Sequence, residues 1–266
     1  MRYGAKALAL RQIMENGVSV DDFPYPRNLD KAEASPIAIA LPPIADGIKL
    51  WWIALERPAH EVAELSLCLS GEETARAQRF GTEPLRQRWI VGRATLRLLL
   101  GRVLGIAPAA VALTRGRRGR PQLAASLSTT SIDFNVSHTR GMALIGIADG
   151  LPAGLRIGVD VEHGERAVNA DGLAVKFLSE PERAGLAPLA PDLRRRGFLR
   201  LWTCKEAMSK ATGDALSAPF RDMDVAIDGG PRLVAGPAPY LPPAWELVAA
   251  ATPPGLIATL AIWHPP

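Results

Sequence analysis

A motif that occurs twice in this chain, once in each half, constrains the fold more than any other feature. In both copies a Ser-x-x-Glu capping box starts a short helix, a Trp-containing segment follows, and a glycine ends a longer helix. The first copy consists of Leu69-Ser70, Trp89–Ala94 and Leu104-Gly105. The second consists of Leu178-Ser179, Trp202–Ala207 and Thr212-Gly213. Two copies in the same order predict two related halves, whereas the alternative is chance recurrence of common helix signals.

Hydrophobic periodicity predicts a long helix in each copy and strands around it. The helices are expected from Pro84 to about Leu104 and from about Leu193 to Ala211. Strands are expected at 48–55, 111–114, 132–136, 142–148, 157–162, near 225, at 245–250 and at 256–263. Each half is therefore predicted to be a small, mainly antiparallel sheet with a long helix, an α+β architecture. Since pockets favour domain interfaces, the active site is expected in the cleft between the two pseudo-symmetric halves.

Three segments are expected along the chain. Residues 1–46 are broken by prolines and are interpreted as a partly mobile N-terminal extension. The first half is expected at 47–150 and the second, which carries the chemistry described below, at 151–266. Two halves within one chain favour a monomer.

Composition excludes several classes of protein. Hydrophobic residues make up 48% and charged residues 22% of the 266 residues, which is typical of a packed core. No run approaches the roughly 18 apolar residues that span a bilayer, and Ala7–Leu10 is too short for a signal peptide. Cys68 and Cys204 have neither zinc spacing nor the density of a disulfide framework. A cytoplasmic protein without a membrane partner is expected.

The charge balance is basic, with a net charge of +4 and a pI of about 9.3. The excess is mostly arginine, clustered at 115–120 and at 194–196. Such clusters suit phosphates, acidic proteins or nucleic acid, although either one could be a solvated face. Because no stacking-aromatic pattern or recognition motif accompanies them, a nucleic-acid partner is not expected.

Carboxylates suggest a metal site in the second half. Asp160 and Glu162 are two residues apart on a predicted strand, so their side chains project from the same face. A hard cation such as Mg²⁺ commonly binds one or two carboxylates together with substrate phosphates. Glu206 and Lys210 are four residues apart on the second long helix, so their side chains lie on the same face. Trp202, four residues before Glu206, lies on this face as well. The alternatives are a solvent face for the strand pair and a simple surface ion pair for the helix pair.

Two further segments offer groups for a phosphate or a sugar. Phe134 to Thr139 ends an apolar strand with Asn, Ser and His in succession. Arg117 to Pro121 combines arginines, which grip phosphate bidentately, with a glycine that lets the backbone approach a ligand. Ordinary turn chemistry explains either segment taken alone.

Taken together and in this order, the motifs resemble the Sfp-type 4′-phosphopantetheinyl transferases. The resemblance rests on Gly119-Arg120-Pro121, Phe134–His138, Gly158–Glu162 and Trp202–Ala207 with Lys210 and Gly213, and in the first half on Arg79-Phe80 and Gly92-Arg93. It covers the chain from about Ile48 to the end. At Thr139 many members have a second serine, and Arg120 keeps the charge of a more usual lysine.

The resemblance implies a fold of two similar α/β halves, an activity and a set of site residues. The metal ligands for Mg²⁺ would be Asp160, Glu162 and Glu206. The catalytic residues would be Asp160, Glu206 and Lys210. Coenzyme A would be bound by Arg79, Arg120, Pro121, Ser137, His138, Lys205 and Lys210.

The implied reaction moves 4′-phosphopantetheine from coenzyme A to a serine of an apo acyl or peptidyl carrier protein. Adenosine 3′,5′-bisphosphate leaves, and Glu206 is the candidate base. The residues alone leave two other functions open. One is a Mg²⁺-dependent phosphate or nucleotide hydrolase that uses the same carboxylates, and the other is a basic nucleic-acid-binding protein.

Overall fold

A computed structural model describes residues 37–42, 47–127, 131–150, 152 and 154–265. Over these residues the chain forms six α-helices and eleven β-strands. The helices are α1 (Ala59–Ser66), α2 (Gly71–Ala77), α3 (Glu83–Leu104), α4 (Ala170–Phe177), α5 (Glu180–Leu186) and α6 (Pro191–Thr212). The strands are β1 (Ala38–Ala40), β2 (Ile48–Ala54), β3 (Leu113–Arg115), β4 (Pro121–Leu123), β5 (Asp133–Thr139), β6 (Met142–Ala148), β7 (Arg156–His163), β8 (Asp224–Ala226), β9 (Arg232–Ala235), β10 (Trp245–Ala249) and β11 (Leu256–Trp263).

The chain divides into two compact units. The first takes 50–113, 141–143 and the described residues up to 42, and the second takes 114–140, 144–266 and the described residues of 43–49. Residues 114–140 and 144–150, which the sequence analysis assigned to the first half, therefore group with the second unit. Most of the expected N-terminal extension lies outside the described residues, but β1 falls within it.

The first unit is built on an antiparallel strand pair and three helices. β1 pairs with β2, with Ile39 opposite Trp52. Helix α3 buries a row of small and aliphatic residues that includes Val91, Leu96 and Leu100. Burying this face, at about 25 cal/mol per Å² of apolar surface, is the main stabilisation of the helix.

The second unit is built on a three-stranded antiparallel sheet in the order β10-β11-β7, with Leu260 of β11 opposite both Val248 and Val159. Helix α6 packs across β7 and β11. At Gly158 the approach is so close that an added Cβ would lie 1.9 Å from the Ala207 carbonyl oxygen. Only glycine permits this contact, which brings the last turns of α6 onto the strand that carries Asp160 and Glu162.

The predicted repeat is present in the helices. The helices α1, α2 and α3 contain 8, 7 and 22 residues, and α4, α5 and α6 contain the same numbers. Both predicted capping boxes are formed, by Ser70 with Glu73 and by Ser179 with Glu182. Both long helices end at a glycine in the left-handed conformation, as predicted.

One detail of the predicted repeat is wrong. Trp89 is the seventh residue of α3, counted from Glu83, whereas Trp202 is the twelfth of α6, counted from Pro191. The two tryptophan segments are therefore not equivalent. The guanidinium groups of Arg76 and Arg93 lie over the Trp89 ring, at 5.5 and 5.8 Å from its centre. Trp202 instead packs among Phe177, Phe198 and Phe220.

The small antiparallel sheets and their helices confirm the predicted α+β class. The further expectation of a site in a cleft between the halves stays a prediction. Within the described ranges, no helix is long and apolar enough to cross a membrane.

Candidate active site

Three of the predicted site residues meet around the Asp160 carboxylate. Asp160 lies on β7 and is 5% exposed. Its Oδ1 accepts hydrogen bonds from Lys210 Nζ on α6 at 2.6 Å and from Ser137 Oγ on β5 at 2.8 Å. Lys210 also donates to Ser137 Oγ at 2.9 Å, which closes a triangle. The strand spacing and the helix spacing found in the sequence thus converge on one point.

Side chains of the neighbouring strand β5 hold this triangle in place. Asn135 on β5 is buried, and its Oδ1 accepts the Val159 N–H at 3.0 Å. Ser137 Oγ similarly accepts the Val161 N–H at 3.3 Å. Side chains of β5 therefore hold the backbone on both sides of Asp160, which limits how far its carboxylate can move.

Two buried carboxylate oxygens at this site lack a hydrogen-bond partner, Asp160 Oδ2 and Glu206 Oε1. Burial raises the pKa of Glu206 to about 7, Lys210 opposes the rise, and the charges of Asp160 and Glu162 add to it. Buried polar atoms are normally satisfied, so this pair marks a place where another ligand is missing or a proton is exchanged.

Glu162 is the third carboxylate. Its side chain is 12% exposed, and its Oε1 is in direct contact with the Arg166 guanidinium. Burial raises the pKa of Glu162, the Arg166 charge lowers it, and the charge of Asp160 raises it further. The three acidic residues therefore feel each other's charges, as a shared cation site requires.

The donor set suits a hard divalent cation, because it offers three carboxylates and two unpartnered buried oxygens. As placed, however, no three His, Cys, Asp or Glu groups among the described residues are close enough together to hold a metal ion. Asp160 is bound by Lys210, and Glu162 is bound by Arg166. A cation bound by these carboxylates would compete with both basic residues for their negative charge.

An open pocket of about 640 Å³ lies beside Glu162. Its lining includes His138, Arg140, His163, Glu165 and Arg166. His163 ends β7, and Glu165 and Arg166 follow it, whereas His138 lies near the end of β5 and Arg140 directly follows that strand. His138, predicted to bind coenzyme A, is exposed and borders this pocket.

Lys205, also predicted to bind coenzyme A, is placed elsewhere. Its ammonium group is fully buried and forms an ion pair with Glu182 at 2.6 Å. It donates to the carbonyl oxygens of Phe177, Phe220 and Met223 at 3.2, 2.6 and 2.9 Å. This arrangement does not agree with the expectation of substrate contact, because the lysine has no exposed surface and no spare donor.

Arg120 is also largely enclosed by the protein. Its side chain is 7% exposed and forms an ion pair with Asp133 at 2.8 Å. It also donates to the carbonyl oxygens of Ala211, Phe134 and Ile157, at 3.0, 3.1 and 2.9 Å. Arg120 therefore ties the end of α6 to β5 and β7, and its predicted contact with coenzyme A stays a prediction.

Two further residues, Pro121 and Arg79, are predicted to contact coenzyme A. Pro121 begins the short strand β4, directly after Arg120. Arg79 is exposed and follows α2 in the first unit. Their predicted contacts with coenzyme A stay predictions.

Sequence reasoning missed Asn135, Glu182 and Arg166 as individual residues. Glu182 was identified only as a helix cap, and its second role as the partner of Lys205 depends on tertiary packing. Arg166 could have been found from its place four residues after Glu162. That spacing predicts an ion pair on a helix, but here a turn produces it.

The fold and the site define the class as an α+β enzyme that gathers carboxylates and a lysine at one end of a long helix. A family model described as "4'-phosphopantetheinyl transferase superfamily" matches residues 156–249. A second, described as "4'-phosphopantetheinyl transferase, N-terminal", matches residues 56–148.

Curated relatives agree. The 4′-phosphopantetheinyl transferase HetI of Nostoc sp. is 31% identical over 226 residues, which cover 84% of this chain and 92% of HetI. A phosphopantetheinyl transferase of Thraustochytrium sp. is 30% identical over 179 residues, 62% of this chain and 60% of that protein. The solved holo-[acyl-carrier-protein] synthase of Thermotoga maritima overlaps 42% of this chain and 64% of its own, with 20% identity and a TM-score of 0.34, which adds no argument. The chain belongs to the 4′-phosphopantetheinyl transferase family.

Proposed function

We propose that this transferase moves the 4′-phosphopantetheine group of coenzyme A onto a serine of an apo acyl or peptidyl carrier protein, in a Mg²⁺-dependent reaction. Family membership supports the transfer. The observation that carries the site is the Asp160–Lys210–Ser137 triangle with two unpartnered carboxylate oxygens beside it.

The substrate brings a pyrophosphate, so the site must supply positive charge. Lys210 is 26% exposed at its side chain and is therefore accessible to a phosphate, unlike the enclosed Lys205. Its compact ammonium group has three donors, which bind Asp160, Ser137 and, at the longest distance of 3.3 Å, the Val159 carbonyl oxygen. A phosphate oxygen can therefore be bound by Lys210 after a small movement of its flexible side chain.

Asp160, Glu162 and Glu206 would hold the Mg²⁺ ion. Bound there, it would neutralise charge on the pyrophosphate and on the departing phosphate. Ser137 and Asn135 position Asp160 for this role by fixing the backbone of β7 on both sides of it.

The transfer forms a P–O bond between the carrier serine and the β-phosphorus of coenzyme A, and breaks the pyrophosphate P–O bond. Adenosine 3′,5′-bisphosphate takes the bonding electrons, and the serine hydroxyl loses its proton. Glu206 is the proposed acceptor, directly or through water, because its Oε1 is buried at the site and has no hydrogen-bond partner.

Intact-mass measurement tests the reaction. The protein is incubated with coenzyme A, Mg²⁺ and several apo carrier proteins, with and without EDTA. We expect each true carrier to gain one phosphopantetheine group, and the gain to disappear with EDTA. Folded enzyme that modifies no carrier would contradict the proposal. Nucleotide release without a carrier would instead indicate a hydrolase.

The proposal also includes the oligomeric state and the cellular location of the protein. We infer a monomer, because the chain contains both copies of the repeated helices, and light scattering of the purified protein measures this directly. The cytoplasmic location expected from the sequence stays a prediction.

A further inference from the structure

Arg166 contacts the Glu162 carboxylate and also borders a pocket that an anion could enter. Its guanidinium contacts Glu162 and also lines the pocket of about 640 Å³. The side chain of Arg166 is 52% exposed, whereas that of Glu162 is 12% exposed. The pair is therefore asymmetric, since the carboxylate is held in place and the arginine is free to turn toward solvent.

The backbone that carries Arg166 is fixed. The Arg166 N–H donates to the His163 carbonyl oxygen at 3.0 Å, which forms a tight turn. The Gly164 N–H donates to the Gly255 carbonyl oxygen at 2.8 Å, and Glu165 pairs with Arg195 at 3.1 Å. Because the turn is anchored on both sides, the guanidinium can exchange partners by side-chain rotation alone.

A half-buried carboxylate needs a counter-charge, and Arg166 supplies it in this structure. A divalent cation bound by Glu162 would supply the same charge and would repel the guanidinium. The space then open to Arg166 is the pocket, where His138, Arg140 and His163 also lie. Glu165 borders the pocket as well, and the guanidinium groups of Arg140 and Arg166 together would suit a phosphate group, because guanidinium binds phosphate oxygens bidentately.

We propose that Arg166 exchanges partners, so that it neutralises Glu162 in the metal-free protein and binds a phosphate group of the substrate once a divalent cation occupies Glu162. This inference rests on the proposed function. It adds a positioning residue and a coupling between metal binding and coenzyme A binding. Since such a coupling is reciprocal, each ligand strengthens the binding of the other.

The chain contains a matched control. Arg232 pairs with Asp228, also four residues apart, and its side chain is 55% exposed, close to the 52% of Arg166. Arg166→Gln and Arg232→Gln therefore remove equally exposed arginine charges, whereas the carboxylate partner is 12% exposed in the first pair and 85% exposed in the second. Only the first change affects a carboxylate of the proposed site.

The first measurement uses the full chain and Mn²⁺ as the probe, with free Mn²⁺ followed by its electron paramagnetic resonance signal. Without coenzyme A, we expect Arg166→Gln to bind Mn²⁺ roughly fivefold more tightly than wild type, because no internal cation has to be displaced. Arg232→Gln should match wild type. Unchanged or weaker Mn²⁺ binding by Arg166→Gln, or no Mn²⁺ binding by any of the proteins, would overturn the proposal.

The second measurement is the affinity for coenzyme A in saturating Mn²⁺, obtained by calorimetry. We expect a loss of roughly tenfold in Arg166→Gln and a smaller loss in Arg166→Lys, which keeps the charge but not the bidentate fork. Equal losses for coenzyme A and dephospho-coenzyme A assign Arg166 to the pyrophosphate, and a loss for coenzyme A alone assigns it to the 3′-phosphate. Unchanged affinity for both ligands overturns the substrate half of the proposal.

These binding measurements do not depend on transfer. A wild-type protein that modifies no carrier would remove the proposed reaction, while the titrations would still decide the role of Arg166. Circular dichroism of each variant shows that it is folded before its affinities are compared.

Discussion

Asp160 is the residue on which the polar contacts of the site converge. Asp160→Asn keeps the size of the side chain and an acceptor for Lys210 and Ser137, but it removes the negative charge. We expect turnover to fall by about a hundredfold or more, because a charged ligand and its partner cation are both affected. The unfolding midpoint should change little.

The rate of carrier modification in saturating Mg²⁺ measures this effect. Asp228→Asn, a change at an exposed pair outside the site, serves as the control. A near-normal rate for Asp160→Asn would remove Asp160 from the metal site.

Glu206 makes the stability of the metal-free protein depend on pH. Its pKa rises from 4.5 to about 7 on folding, so the folded state holds this proton more tightly than the unfolded state. The resulting stabilisation is complete below about pH 4.5 and is lost as pH rises through about 7. Its upper limit is about 3 kcal/mol, since one pKa unit corresponds to about 1.4 kcal/mol.

Urea unfolding in EDTA at pH 6 and pH 8 measures this dependence. We expect wild type to lose more stability than Glu206→Gln between the two values, because the glutamine cannot titrate. Equal pH dependence of the two proteins would show that the Glu206 carboxyl is not perturbed.

At the scale of single residues, spacing predicted which charged side chains share a face but not which basic side chains are enclosed by the protein. Asp160 and Glu162 share a strand face, and Glu206 and Lys210 share a helix face, so period alone located them. For a basic residue in a charged motif, the helical period does not show whether the side chain pairs with a buried carboxylate or binds a substrate. Lys205 looks like a ligand in the sequence and is an enclosed structural cation in the fold.

At the scale of elements, the two capping-box glutamates have a second function that the helix signals do not reveal. Glu73 pairs with Arg97 at 2.6 Å, and Glu182 pairs with Lys205 at 2.6 Å. Arg97 is the fifteenth residue of α3, counted from Glu83, and Lys205 is the fifteenth of α6, counted from Pro191. In each unit, therefore, the long helix holds the start of the short helix before it by the same clamp.

Lys205→Met should destabilise the protein by about 3 kcal/mol or more, because it leaves the Glu182 charge buried without a partner. Arg97→Met should have a smaller effect, since Glu73 is 14% exposed and Glu182 is 1% exposed at the side chain. Urea unfolding gives both free energies. The double variant Lys205→Met/Glu182→Gln should recover part of the loss.

A smaller loss for Lys205→Met than for Arg97→Met would contradict this ranking by burial. The helices themselves could be predicted, because their caps and terminal glycines are local signals. The clamps could not, because they join residues more than twenty positions apart.

At the scale of the whole molecule, equal helix lengths confirm the repeat that was predicted from the capping boxes and terminal glycines of the sequence. The extent of each unit was harder to predict. A strand belongs to the unit in which its side chains pack, and neighbouring positions along the chain do not determine this. Residues 114–140 therefore precede the predicted boundary but group with the second unit.

The overall charge leads to a prediction about the carrier protein. The chain carries a net charge of +4, so an acidic carrier protein would be attracted at a distance and the two proteins should meet faster. Screening shortens the range of this attraction to about 10 Å at 0.1 M salt.

We expect the KM for the carrier to rise severalfold between about 50 and about 300 mM NaCl. The kcat at saturating carrier should change little, because chemistry follows docking. A carrier variant with its surface acids neutralised serves as the control and should show a weaker salt response. A KM for the native carrier that stays flat over this range would mean that shape and apolar contacts, rather than charge, select the partner.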